Sequence, residues 1–157
     1  MTNPSIEKYL SEQDFFSGLS PELIGFLASC ASERQVEPDQ VLFRQRDRAR
    51  KFYLVRNGCI SIEIPAITGP TLQVQRLTAN QILGWSWLIP PYKWNFQARA
   101  EEPSELIEFD GDAVLARCDA EPAFGYELLK RFASLMSERL DAARQKMMDQ
   151  WNPPGFA

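Results

Sequence analysis

Between Pro38 and Asp110 turn residues interrupt the chain about every 8–14 residues, a spacing that suits an antiparallel sandwich or barrel and not βαβ units. The runs between these turns are short and apolar: "QVLFRQ", "FYLVRNGCISIEI", "TLQVQRL", "ILGWSWLIPPYKWNFQARA" and "SELIEFD". Asn57-Gly58 inside the second run predicts a hairpin turn. "TGP" at 68–70 predicts another, and "TLQVQRL" alternates as a half-buried strand does. Helical patterns flank this block. Residues 5–18 read as one or two short helices. A further helix opens with Ser20 as cap, Pro21 at the first helical position and Glu22 at the positive helix end, with Leu23, Phe26, Leu27 and Cys30 on one face. After Asp112 a short helix stops near Glu121-Pro122, and a long one runs over 122–148 until Pro153 and Pro154 of "WNPPGFA" end it. The order predicts an α+β chain with N-terminal helices over 5–34, strands over 35–110 and C-terminal helices over 112–150, one domain across 1–157.

Composition narrows the chemistry. The chain carries a net charge of −4, which is not the basic excess of a domain built to grip nucleic acid. It has no histidine, so the commonest general base and the commonest metal ligand are missing. Cys30, Cys59 and Cys118 are scattered, which fits free thiols in a reducing compartment and no zinc site. No GxSxG, GxxxxGK[ST] or GxGxxG motif occurs. The start has no secretory pattern, and no apolar run approaches the roughly 18 residues of a membrane span. A cytoplasmic protein that is not an enzyme and holds no metal is the expectation.

Two separated stretches carry a family resemblance. In "LFRQRDRARKFYLVRNG", 42–58, Asp47, Ala49, the run Phe52-Tyr53-Leu54-Val55 and Gly58 fall at the spacing of a pattern found in cyclic nucleotide-binding domains. The segment from Leu83-Gly84 to Ala98-Arg99-Ala100 aligns without a gap to the nucleotide-gripping stretch of the same domains. The chain thus resembles the cyclic nucleotide-binding domain family, in particular the sensor domain of Crp/Fnr-type regulators, over about residues 14–148. The resemblance implies an eight-stranded, jelly-roll-like β-roll between helices. It also implies where a nucleotide would be held, and there the chain departs from the family. Arg46 stands where a Gly is usual. Trp85 stands where a Glu binds the ribose hydroxyl, Trp94 where an Arg pairs with the cyclic phosphate, and Lys93 where a Pro precedes it. Each lost charge-assisted bond is worth roughly 1.5–3 kcal/mol, so losing both lowers affinity on the order of 10²–10⁴-fold. Cyclic AMP and cyclic GMP are therefore disfavoured as ligands.

Three of the four tryptophans, Trp85, Trp87 and Trp94, crowd this segment beside Tyr92 and Phe96. Strand alternation places Trp94, Phe96, Ala98 and Ala100 on one face, which by resemblance lines the pocket, with Gln97 and Arg99 on the other. The candidate ligand-lining residues are Gly84, Trp85, Ser86, Trp87, Trp94, Asn95 and Phe96. One reading is an aromatic pocket for a small ligand other than the cyclic nucleotides, with signalling by protein association. The alternative is a ligand-free dimeric scaffold whose pocket the rings have filled. Along the last helix Leu129, Phe132, Met136, Leu140, Ala143 and Met147 recur at about 3.5 residues, the spacing of a two-fold seam, and predict a homodimer. Few residues follow Met147, so a sensor module without its own DNA-reading domain is expected, with no direct DNA contact and an unidentified partner protein. The basic run "RQRDRARK", 44–51, is either a solvated loop or a surface for phosphate or an acidic partner.

Overall fold

The computed structural model describes residues 4–150. The chain opens with α1 (Pro4–Ser11), a single 3-10 turn (Asp14–Phe16) and α2 (Pro21–Ser29). Ser20 caps α2 as its side-chain oxygen accepts the Leu23 N–H at 3.3 Å, and Pro21 enters at the first helical position. Eight strands follow: β1 (Ala31–Val36), β2 (Val41–Phe43), β3 (Lys51–Asn57), β4 (Ile60–Ile64), β5 (Leu72–Leu77), β6 (Ile82–Leu83), β7 (Gln97–Ala100) and β8 (Ser104–Asp110). They form two antiparallel four-stranded sheets, ordered β1-β8-β3-β6 and β2-β7-β4-β5. α3 (Gly111–Ala120) and α4 (Pro122–Gln150) complete the expected α+β roll. The helix stop at "WNPPGFA" and Trp151 lie outside the described residues.

Two local expectations are corrected. The N-terminal helices end at Ser29, not near residue 34. Ala31–Val36 has helix-tolerant residues, yet it forms β1 because every residue from Ala31 to Val36 pairs with β8, Ala31 opposite Phe109 and Val36 opposite Ser104. Tertiary pairing overrides the weak local helix propensity there. Asn57-Gly58 is not a hairpin between paired strands. β3 bonds to β8 and β6, whereas β4 bonds to β5 and β7, so this turn carries the chain from one sheet to the other. Gly58 sits at φ +104°, and a Cβ there would lie 2.1 Å from the Ser104 hydroxyl oxygen, which accepts the Cys59 N–H at 3.1 Å. Only glycine fits that approach.

The core joins the two sheets to the helices. Trp87, Phe52 and Phe109 stack in series, with centroids 4.7 and 4.3 Å apart, and Phe132 of α4 packs edge-on against Phe52 and Trp87. Phe124, Leu128, Phe132 and Leu135 form the inward stripe of α4. The spacing places Phe132 in the two-fold seam, and the structure corrects this. It is fully buried in its own domain and has no side chain to offer a partner. The rest of that line lies outward or at the flank: Leu129, Leu140 and Met147 are exposed, and Met136 and Ala143 are half-buried. Arg131, Arg139 and Lys146 of α4 donate to the backbone carbonyls of Ser17, Ile82 and Gln73, which ties the helix to the roll. No helix among the described residues is long and apolar enough to cross a membrane.

Candidate functional site

The site is built where β6 leaves the sheet. Gly84, at φ +103°, turns the chain out of β6, and the Leu88 N–H closes a turn on the Trp85 carbonyl at 3.0 Å. Residues 92–94 then run beside 46–49. The Ala49 N–H bonds the Tyr92 carbonyl at 2.7 Å, the Arg46 N–H bonds the Trp94 carbonyl at 2.8 Å, and the Trp94 N–H bonds the Asp47 carbonyl at 2.9 Å. These bonds bring together the two stretches that matched the family pattern.

The tryptophans divide among three environments. Trp87 belongs to the core: it is 1% exposed, and its indole N–H donates to the Gly84 carbonyl at 3.1 Å. Its ring therefore packs away from the proposed pocket, against Phe52 and Phe132. Trp94 turns the other way. Its ring lies flat on Phe43, centroids 3.6 Å apart and planes 11° apart, and Phe43 in turn stacks on Tyr53. The far edge of the Trp94 indole reaches Gly84, where a Cβ would come within 2.7 Å of it. Phe96 closes the cluster at 5.9 Å from Phe43 and 6.3 Å from Trp94. Trp85 is half-buried, edge-on to Phe96 at 6.0 Å. Ser86 is buried and Asn95 is exposed. The structure thus gathers Gly84, Trp85, Trp94 and Phe96, and puts neither Trp87 nor Asn95 among them.

Sequence reasoning missed several members. Phe43 and Tyr53 carry no sequence signal for the cluster: β2 is only three residues long, and Phe52-Tyr53-Leu54-Val55 of β3 are apolar without a break, so neither strand shows an alternation that would orient them. Arg139 had no distinguishing signal among the charges of α4. Its guanidinium lies 5.9 Å from the Trp85 ring centre and donates to the Ile82 carbonyl, and it makes no ion pair among the described residues. Burial pushes Arg139 down to about 10, opposed in part by Glu138, so it stays cationic at neutral pH. It faces a cleft of about 470 Å³ between the 3-10 turn, the β5–β6 connection and α4, lined also by Asp14, Phe15, Gln81, Arg131, Ser134 and Glu138. This cleft lies beside the rings, not between them.

The opposite face of β7 is polar, as alternation predicts. Ala98 and Ala100 are fully buried, whereas Gln97 and Arg99 turn outward to Glu63 of β4. Glu63 is only 5% exposed, and accepts from Arg99 at 2.7 Å, Gln97 at 2.9 Å and Ser61 at 2.8 Å. Burial favours its neutral form, but the bonds from Arg99, Gln97 and Ser61 outweigh burial and hold the carboxyl below its ordinary range.

The comparisons agree on the fold. Residues 33–121 match the family model "Cyclic nucleotide-binding domain". A protein from Geobacter metallireducens GS-15 that is named for cyclic nucleotide binding superposes with a TM-score of 0.78 at 24% identity, over 87% of this chain and 98% of that one. A cyclic nucleotide-binding domain from Methylobacillus flagellatus KT gives 0.78 at 16% identity, over 98% and 86%. The sensor domain of the transcriptional regulator DNR from Pseudomonas aeruginosa gives 0.71 at 20% identity, over 88% and 93%. A search of the curated proteins found no match. With the family model covering more than half of its length and the roll and element order shared with these structures, the chain belongs to the cyclic nucleotide-binding domain family.

Proposed function

We propose that this domain is a regulatory module whose nucleotide site is closed by its own rings and which acts through protein association, as a homodimer joined along α4. The observation that carries this reading is the Trp94–Phe43 stack at 3.6 Å. By the family alignment Trp94 occupies the position of the phosphate-pairing arginine, and its ring is 3% exposed and packed down to Gly84. An indole cannot pair with a phosphate, and this one has no room to swing aside without leaving a void. Trp85 likewise offers no carboxylate to a ribose. The residues present therefore do not fit a cyclic nucleotide held in the family manner. Calorimetric titration with cyclic AMP and with cyclic GMP is expected to give dissociation constants above ~1 μM, weaker than about −8 kcal/mol. Tighter binding of either nucleotide would overturn the closed-site reading.

The association half rests on α4. Leu129 is 45% exposed, Leu140 60% and Met147 69%, an apolar line on the helix face turned from the roll. A second copy of the same line would cover it by two-fold packing. Light scattering after gel filtration is expected to show a dimer at ~100 μM and a monomer for Met136→Glu with Leu140→Glu, because like charges would meet across the axis. A wild-type monomer at that concentration would refute the seam.

A second reading keeps a ligand, because half-buried Arg139 makes no ion pair among the described residues and faces the 470 Å³ cleft, where Arg131 offsets one of the two acids, Asp14 and Glu138, that also line it. A small organic anion would supply the missing partner. Native mass spectrometry of protein purified from its own host should then reveal a bound mass that disappears in Arg139→Gln.

A further inference from the structure

The arginines of this chain fall into two groups. Outside residues 44–50 every arginine is engaged: Arg139 on the Ile82 carbonyl, and the others on carboxylates. Inside that loop none is. Arg44, Arg46, Arg48 and Arg50 are all exposed, and none makes an ion pair or a side-chain hydrogen bond among the described residues. The one acid in the loop does not neutralise them, since the Asp47 carboxylate turns back to accept the Arg44 backbone N–H at 3.3 Å. Lys93 adds a further cation across the Arg48–Lys93 bridge, and it too is exposed, with no ion pair among the described residues.

The loop is also held in shape. Its backbone is tied to residues 92–94 by the bonds of Arg46, Ala49 and Trp94. Arg46 sits at φ +75°, in the left-handed region that glycine adopts freely and an arginine enters only with strain. A charged side chain is thus kept at a place where the backbone favours having none. The backbone of this loop positions Trp94, but neither the closed ring cluster nor the α4 seam uses its arginine side chains.

We infer that the loop 44–50 with Lys93 is a docking surface for a carboxylate-rich segment of a partner protein. The geometry favours a short acidic segment over an extended polyanion. The chain carries a net charge of −4 in spite of this loop, so the rest of its surface is acidic. Duplex DNA or an anionic membrane would also lie against that acidic surface, within the roughly 8 Å at which its charges still act through physiological salt, and be repelled there. A short acidic strand covers only the loop, where planar guanidinium groups can fork onto its carboxylates. This proposal rests on the reading that the module works through protein association, but not on the dimer: the loop and the outward face of α4 are separate surfaces.

The test is fluorescence anisotropy with a short labelled poly-glutamate peptide on the full chain, with the oligomeric state followed in parallel by light scattering. Saturable binding that weakens steeply with salt is expected. Arg44→Gln with Arg48→Gln should weaken it on the order of tenfold, at a few-fold per exposed ion pair. Arg46→Gly should weaken binding a few-fold and yet raise the thermal midpoint by about 2–4 °C, because it relieves the left-handed strain. A residue kept only for the loop's fold would not show those opposite signs. Binding that survives all four arginine-to-glutamine changes would overturn the proposal. So would absence of saturable binding, or tighter binding of a labelled DNA duplex or of phosphatidylserine vesicles at the same ionic strength. A wild type that binds the peptide as a monomer would refute the seam and leave this surface standing.

Discussion

Trp94→Ala is expected to destabilise the domain by about 3–5 kcal/mol, the range for truncating a large buried ring. The ring is 3% exposed and lies flat on Phe43 at 3.6 Å, with Phe96 and Gly84 at its edges. Removing it forfeits the apolar burial and leaves a void walled by Phe43 of β2 and by Phe96, which directly precedes β7. Such walls collapse poorly, which places the cost toward the upper part of the range. Urea unfolding of the purified variant measures it. Free indole offers a second check: binding in the void should raise the midpoint of the variant and not that of the wild type. Trp85→Ala is the internal comparison, because Trp85 is half-buried at the mouth of the cluster and its loss costs far less. If Trp94→Ala left the urea midpoint unchanged, the stack that closes the site would not exist in solution.

The second large effect is expected at Glu63. Glu63→Ala removes the acceptor of Arg99, Gln97 and Ser61 at one stroke, leaving a fully buried Ser61 hydroxyl and a partly buried guanidinium behind. Breaking such a pair from one side costs about 3–5 kcal/mol when both partners are deeply buried. Here Arg99 keeps its bond to the exposed Asp39 at 2.9 Å, which draws the expectation toward about 3 kcal/mol. The pH dependence has a definite sign. Glu63 is held below its ordinary carboxylate value, so its contribution is complete above the unfolded value near ~4.3 and is lost as pH falls through the lower folded one. Glu108 acts in the same sense: burial raises it, but Lys51 and Arg34 at 2.5 and 2.6 Å outweigh burial. The stability gap between wild type and Glu63→Gln should therefore be widest near neutrality and shrink below about pH 4. A gap that stays constant from neutral to acid pH would mean that the Glu63 charge is not what these bonds stabilise.

Much of this architecture was legible residue by residue. Ser20 and Pro21 announced the start of α2. The alternation assigned each side chain of β7 its face, with Ala98 and Ala100 inward and Gln97 and Arg99 outward toward Glu63, although the strand begins only at Gln97 and Trp94 and Phe96 reach the cluster from the loop before it. The two stretches 42–58 and 83–100 identified the family, and the structure pairs them through residues 46–49 and 92–94. In each of these cases the signal is local: a cap, a strand period or a motif spacing is complete within a few residues, so the chain alone carries it.

Tertiary packing decided the rest. Asn57-Gly58 has the chemistry of a hairpin turn, but whether the flanking strands pair depends on competing partners, and β8 claims β3 while β5 and β7 claim β4. Trp85, Trp87 and Trp94 are the same residue type, and what separates a core ring from one that fills the site is the turn over 84–88 together with the bonds of 92–94 to 46–49. Phe132 lies four residues after Leu128 and three before Leu135, and also three after Leu129 and four before Met136. Helical spacing therefore assigns it to the inward stripe and the outward seam equally well. The sequence alone determined which residues could share a face. Which of two compatible faces is buried follows from the free energy of contacts with segments distant along the chain, such as Phe52 and Trp87 closing on Phe132, and only the folded structure contains those contacts.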